Sequence, residues 1–231
     1  MYGCRDRMPL VVRAPMGGRR GYGPTHSQSL EKHFLGVPGT MVLALNGRCD
    51  PGALYDTLLS TVDRPTLVVE NKLLYGARFN RPAPRGFTME TSDERYPTVR
   101  LRPQGPADLT IFCYGGMLPE AESALETLFE EHEVLCELIC PTQLYPFNSF
   151  PVLDSVRRTG RLLVVEEGQA FAALGSEVVA KVAEAAPGVL RRVGRLSAAR
   201  QPIPAAPNLE AEALPGTRHI VSKAKELVHG Q

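Results

Sequence analysis

The residues best placed to do chemistry fall in one glycine-rich run, Gly17-Gly18-Arg19-Arg20-Gly21-Tyr22-Gly23-Pro24-Thr25-His26-Ser27-Gln28-Ser29-Leu30-Glu31. Its glycines permit positive φ and close approach of the backbone to a neighbour or a ligand. Thr25 and Gln28 have the T-x-x-Q spacing of a reciprocal helix cap, which predicts a helix over about 26–35. His26 would then stand at the first helical position, beside unpaired N–H groups and the positive end of the helix dipole. That setting favours the neutral imidazole, which gives or accepts a proton near neutral pH. The run is not a P-loop, since no G-K-[ST] follows, and it lacks a G-x-G-x-x-G spacing. A glycine turn whose histidine merely packs would look the same locally.

Other reactive side chains have plainer readings. Glu70 follows a run that reads as a buried strand, where a carboxylate is either catalytic or a paired structural ion. His132, Cys136 and Cys140 are evenly spaced like metal ligands, but Cys136 and Cys140 share a strand face with Leu138 and read as small buried hydrophobes. Glu166, Glu167 and Gly168 end a strand and precede the small-residue segment Ala170-Phe171-Ala172-Ala173-Leu174-Gly175, which permits close approach of another helix or subunit and reads as interface rather than active site. His33, His219 and His229 have no partner pattern. No Ser-His-Asp relay follows from spacing alone.

These residues need elements to hold them. Residues 9–15, 40–45 and 66–71 are short apolar runs without strict alternation, as expected of strands buried on both faces of a parallel sheet. Leu54 and Leu58 mark a helix over 51–61. Residues 77–107 carry Pro82, Pro84, Pro97, Pro103 and Pro106 with Arg78, Arg81, Arg85, Arg95, Arg100 and Arg102. They read as a basic, solvated linker, or else as a strip that contacts a partner. A second α/β unit starts at Asp108. Strands are predicted at 109–115, 133–140, 162–165 and 189–193. Helices are predicted after Pro119, with Ala121, Ala124, Leu125 and Leu128 as the apolar stripe, over 170–185, and at the C-terminus.

A net charge of +1 gives no steering toward nucleic acid or an anionic membrane. No apolar run approaches the ~20 residues of a membrane span. Arg5, Asp6 and Arg7 interrupt any signal-peptide core. Five cysteines in no framework spacing fit a reducing cytoplasm.

The run PLVVRAPMGGRRGYGPTHSQSLEKHF resembles the beta subunit of the first component of the 2-oxoacid dehydrogenases (pyruvate, branched-chain and acetoin). Its G-P-T-H core is also similar to transketolase and deoxyxylulose-phosphate synthase. Val68-Val69-Glu70-Asn71-Lys72-Leu73-Leu74-Tyr75-Gly76, then Arg158-Thr159-Gly160-Arg161-Leu162-Leu163-Val164-Val165-Glu166-Glu167-Gly168, then Pro202-Ile203-Pro204 extend the likeness along the chain.

The resemblance implies an α/β fold in two units. Residues 1–76 would be the C-terminal part of a transketolase-like pyrimidine-binding domain, followed by the Pro/Arg-rich linker 77–107. Residues 108–231 would form a complete transketolase C-terminal-like three-layer α/β/α domain with a mostly parallel five-stranded sheet. The upstream part of the first domain would be supplied elsewhere, leaving an unpaired sheet edge and uncovered apolar faces.

In function, the resemblance implies the C-terminal portion of a split beta subunit of a thiamine-diphosphate-dependent enzyme, inactive alone. Such an enzyme decarboxylates a 2-oxoacid and transfers the acyl or aldehyde unit. His26 would be the catalytic residue, lining the mouth of the cofactor site. Tyr22, Ser27 and Gln28 stand near enough to touch cofactor, against packing or capping roles. The G-D-G…N motif for thiamine diphosphate and Mg2+ does not occur in this sequence, so partner subunits would hold both. Those partners would carry the diphosphate-binding domain, the activating glutamate and the missing N-terminal half. A lipoyl acyltransferase is a further expected partner, and the C-terminal domain would self-associate. A ketol transferase or acyloin synthase subunit, and a non-catalytic assembly subunit, are the alternatives. Ala44-Leu45-Asn46-Gly47-Arg48 replaces the family's proline-containing stretch and puts any monovalent-ion site there in doubt.

Overall fold

The β-branched runs become strands of two sheets, but the run over 9–15 forms an edge strand among the described residues, largely exposed rather than buried on both faces. The computed structural model describes residues 7–230, so Cys4, Arg5 and Asp6 of the sequence reading lie outside the described residues. In the first unit, β1 (Val11–Met16), β2 (Met41–Ala44) and β3 (Thr66–Asn71) pair in parallel, with β3 in the middle. A single helical turn, α1 (Gly23–His26), and the helix α2 (Pro51–Thr61) lie between them. Asp50 opens α2: its Oδ1 accepts from the Gly52 N–H at 2.8 Å, and Pro51 sets φ in the first turn. Leu54 and Leu58 then pack on Leu43 and Val68.

The second sheet contains β4 (Phe87–Thr91), β5 (Thr98–Pro103), β6 (Leu109–Cys113), β7 (Cys136–Pro141), β9 (Arg161–Gln169) and β10 (Arg192–Ala198), while β8 (Gln143–Tyr145) leaves for the first sheet. Its order is β10-β9-β6-β7-β5-β4, parallel from β10 to β7 and antiparallel from β7 to β4. Two helices, α3 (Leu118–His132) and α7 (Thr217–His229), cover one face. The other face carries α4 (Phe150–Thr159) and α5 (Leu174–Ala185), and a short α6 (Pro207–Ala213) precedes α7. This is a three-layer α/β/α domain. No helix among the described residues is long and apolar enough to cross a membrane.

Two contacts weld the units together. β8 adds antiparallel to β2, so the second unit supplies a strand to the first sheet, whose order is β1-β3-β2-β8. One apolar cluster then runs through both, joining Val42, Ala44 and Val69 to Phe112, Ile139 and Leu144. At the far edge, β1 has no strand on its outer side among the described residues. Met8, Leu10 and Val12 stay 58%, 49% and 45% exposed at alternate positions, so one face of this edge is apolar and uncovered, as expected.

Several expectations need correction. The helix over 26–35 does not form. Thr25 Oγ1 turns back to the Tyr22 carbonyl at 3.4 Å instead of reaching forward to Gln28, and α1 closes at Ser27. The Leu30 N–H goes to Met16 Sδ, and a 3-10 turn (Glu31–Phe34) follows. His26 is thus the last residue of a one-turn helix, and the N-terminal dipole argument does not apply. Residues 77–107 are no solvated linker: they contain β4 and β5, which add antiparallel to four parallel strands and make a sheet of six rather than the five expected. Val99 and Leu101 point into the core while Arg100 and Arg102 meet Glu137 at 3.1 Å on the other side. The helix start near 170 and the strand over 189–193 shift to Leu174 and Arg192. The strand over 133–140 starts at Cys136, because Glu133 takes a left-handed φ of 54° to end α3.

Leu144 is fully buried in the shared cluster. Leu144→Ala should cost about 2–5 kcal/mol. In urea titration both units should lose structure together in one transition at lower denaturant.

Candidate functional site

The carboxyl ends of parallel strands are where open α/β sheets expose loops for ligands. The loop after β1 and the turn after β3 meet at such an end. What fixes them is a set of carboxylates from the second unit. Glu167 Oε1 accepts from the Gly18 N–H at 2.9 Å. Its Oε2 accepts from Asn71 Nδ2 at 2.8 Å and Ser29 Oγ at 3.3 Å. Glu210 on α6 accepts from the Arg19 N–H at 2.8 Å and the Gly21 N–H at 3.0 Å. The Arg19 side chain reaches Glu120 at 3.4 Å and Glu167 at 3.6 Å, and donates to the Pro215 carbonyl.

Glycine is required where Asn71 threads through. A Cβ on Gly116 would stand 2.0 Å from Asn71 Nδ2, and one on Gly17 (φ +94°) 2.3 Å from it. The close approach anticipated for the glycine loop is therefore made to protein. The Gly18, Arg19 and Gly21 amides already serve Glu167 and Glu210, so these three are not open to a phosphate.

On this clamped loop, Tyr22 and His26 are exposed and meet edge to face, ring centres 6.4 Å apart. Lys72, from the turn after β3, stands 5.2 Å from the Tyr22 ring centre and donates to the His26 carbonyl. Arg20 lies 5.5 Å from the same ring on its guanidinium carbon. Neither Arg20 nor Lys72 has a carboxylate partner among the described residues. The result is a cationic, aromatic surface around an imidazole, suited to an anionic ligand or an acidic partner surface.

The companion candidates separate. Ser27 is buried, and its Oγ has no hydrogen-bond partner. Gln28 lines a different cleft, with Ser29, His33, Glu167 and Arg200. Lys72 lies in the Val68–Gly76 motif and Arg20 in the glycine run, but neither has a spacing that marks it as part of a site. Glu210 carried no signal in the sequence at all.

Glu70 is structural. Arg13 donates to it twice, at 2.8 and 3.0 Å, Tyr75 at 2.7 Å, and Tyr55 as well. Burial alone would raise its carboxyl, but these donors outweigh it and hold it below the ordinary value. Cys136 and Cys140 lie in the apolar core with Leu138. His219 caps α7, its Nδ1 accepting the Gly216 N–H at 3.0 Å. Asn46 binds Thr142 at 3.1 Å and takes the Arg48 N–H at 2.9 Å, while Arg48 is buried on Glu122 at 2.6 Å. That loop is shaped by polar contacts of its own. No group of His, Cys, Asp and Glu among the described residues has the arrangement of a metal site.

Glu210→Ala should strip the acceptor from two loop amides and cost about 1–3 kcal/mol. Amide exchange at Arg19 and Gly21 should accelerate relative to the second-sheet core.

The sequence profile of the family "Transketolase, C-terminal domain" matches residues 98–220, more than half of the 231-residue chain. The chain is 33% identical to the mitochondrial pyruvate dehydrogenase E1 component subunit beta-1 of Arabidopsis thaliana, over 94% of itself and 59% of that protein. It is 29% identical to the pyruvate dehydrogenase E1 component subunit beta of Rickettsia bellii, over 99% of itself and 68% of that protein. It therefore spans about three fifths to two thirds of these relatives' lengths. A solved structure described as a split gene transketolase, inactive beta4 tetramer, superimposes with a TM-score of 0.65 at 17% identity, covering 96% of this chain and 67% of that one. The three-layer sheet, the matched profile and the likeness along nearly the whole chain agree: this protein belongs to the transketolase C-terminal domain family and is similar to pyruvate dehydrogenase E1 beta subunits.

Proposed function

We propose that this chain forms one wall of a composite active site in a thiamine-diphosphate-dependent enzyme. The enzyme decarboxylates a 2-oxoacid and passes the acyl or aldehyde unit to an acceptor, a lipoyl group or an aldehyde. The remaining walls come from polypeptide outside these 231 residues. The observation that carries this reading is His26, exposed on a loop whose backbone is pinned by Glu167 and Glu210. A rigid loop that presents a proton-exchanging group to solvent is suited to a face completed by another surface.

Two further features support it. The outer edge of β1 is unpaired among the described residues and flanked by exposed Met8, Leu10 and Val12, as expected where a sheet continues on other polypeptide. The Gly18, Arg19 and Gly21 amides are taken up by the carboxylates of Glu167 and Glu210, a negative lining that does not suit a diphosphate. The diphosphate and Mg2+ would be held on a partner. Thiamine diphosphate, when bound, supplies the electron sink that lets a 2-oxoacid lose carbon dioxide. In this reading His26 exchanges a proton with the transferring group or its acceptor. Lys72 fixes the His26 carbonyl, and Arg20 and Lys72 make the mouth attractive to anions. The C-terminal unit would dock the partner subunits.

His26 is exposed, and its ring meets that of Tyr22 edge to face, so His26→Ala should leave the fold and assembly intact. In the complex reconstituted with its partner subunits, turnover should drop by about 10²–10⁴-fold, the range for loss of a general acid–base group. Full turnover in that variant would remove the role given to His26. Titration calorimetry of the isolated chain with thiamine diphosphate and Mg2+ should show no tight binding; tight binding would contradict the composite site.

A further inference from the structure

Just beyond the His26 loop, a buried carboxyl docks on the second sheet. Glu31 opens the 3-10 turn after Leu30 and is 2% exposed. Its Oε1 lies 2.7 Å from the Tyr114 hydroxyl, at the end of β6. The same hydroxyl lies 3.3 Å from Oε1 of Glu166, which is wholly buried on β9. Glu166 Oε1 also accepts the Gly175 N–H at 2.9 Å, from the start of α5. Its Oε2 has no hydrogen bond and faces Arg195 on β10 at 3.7 Å.

Counting protons decides the state of this cluster. A tyrosine hydroxyl donates one hydrogen and cannot serve two carboxylates. Two ionised carboxylates would also leave one negative charge in the core, because Arg195 compensates only Glu166. Lys32, beside Glu31 in sequence, offsets part of that charge from a distance, but its ammonium bonds the carbonyls of Gln169 at 3.4 Å and Phe171 at 2.9 Å and not the Glu31 carboxyl. Glu167 adds negative charge nearby and is itself met by Arg19 at 3.6 Å. An unpaired buried carboxylate is strongly unfavourable. One added proton closes the chain of donors: Glu31 donates to the Tyr114 oxygen, Tyr114 donates to Glu166, and Glu166 faces Arg195.

We propose that Glu31, Tyr114 and Glu166 form a proton-binding site that carries one proton on Glu31 and locks the segment after His26 onto the second sheet only while that proton is present. Burial pushes the Glu31 carboxyl above its ordinary value, with Tyr114, its own backbone N–H and Lys32 opposing, and burial raises Glu166 likewise, opposed by the Gly175 N–H and Arg195. The sign follows. A carboxyl raised by folding contributes stability that is complete below its unfolded value of about 4.3 and is lost as pH rises through the folded value. Rising pH should therefore loosen residues 27–34 first. The proposal does not depend on the catalytic reading of His26, and its test reads the proton, not turnover.

Infrared spectra of the full chain at about pH 6, where ordinary carboxyls are ionised, should contain the carbonyl stretch of one protonated carboxyl. The band should vanish in Glu31→Gln and persist in Glu126→Gln, an exposed control on α3. Raising the pH of the wild-type chain should remove the band and lower the thermal midpoint together. Glu31→Gln, whose amide still donates to Tyr114, should lose that part of the pH dependence. Absence of the band in the wild type would overturn the proposal whether or not any variant folds. So would a band that survives Glu31→Gln and disappears in Glu166→Gln.

Discussion

The structure depends on carboxylates of one unit accepting backbone amides of the other. Glu167 and Glu210 take the N–H groups of Gly18, Arg19 and Gly21, and Glu167 also holds Asn71 and Ser29. Each such bond to a charged acceptor is stronger than a neutral one, and inside the protein it is weakened little by solvent. Together they fix the loop after β1 against the turn after β3. Without them a stretch with this many glycines would be the most mobile part of the first unit.

That constraint explains why the loop can be both glycine-rich and well positioned. The glycines are needed because Asn71 passes where side chains would stand at Gly17 and Gly116. With the backbone held from beneath, the side chains of Arg20, Tyr22 and His26 are exposed, next to a half-buried Lys72. The same logic governs the buried carboxyls. Glu70 is saturated by three donor residues and stays ionised, whereas Glu31 shares a single hydroxyl with Glu166 and keeps a proton. Acidity in this interior is set by the supply of donors.

The units are interlocked through β8 and through the apolar cluster around Leu144. The first sheet is thus stiffened at β2 by the second unit, while its β1 edge is left open among the described residues. An open, apolar edge on a well-anchored sheet is a surface that a further strand or subunit could join without disturbing the core.

The chain's own sequence determined the strands with β-branched runs, the apolar stripe of α3, the fold class and the family, because these depend on local pattern and on long motifs. It also marked the glycine loop as a place of close approach. It could not decide what made that approach, since Glu167 and Glu210 lie 149 and 191 residues beyond the Gly18 and Arg19 amides that they accept. The alternation of Val99 and Leu101 with Arg100 and Arg102 was present but masked by prolines and charge, and only pairing with β7 made it a strand. T-x-x-Q spacing suggested a cap, yet capture of Glu31 by Tyr114 and of the Leu30 N–H by Met16 favoured a different path. Local sequence specifies what a segment prefers, and tertiary contacts decide where preferences compete, because a buried carboxylate or an unmet amide costs more than a helix turn gains.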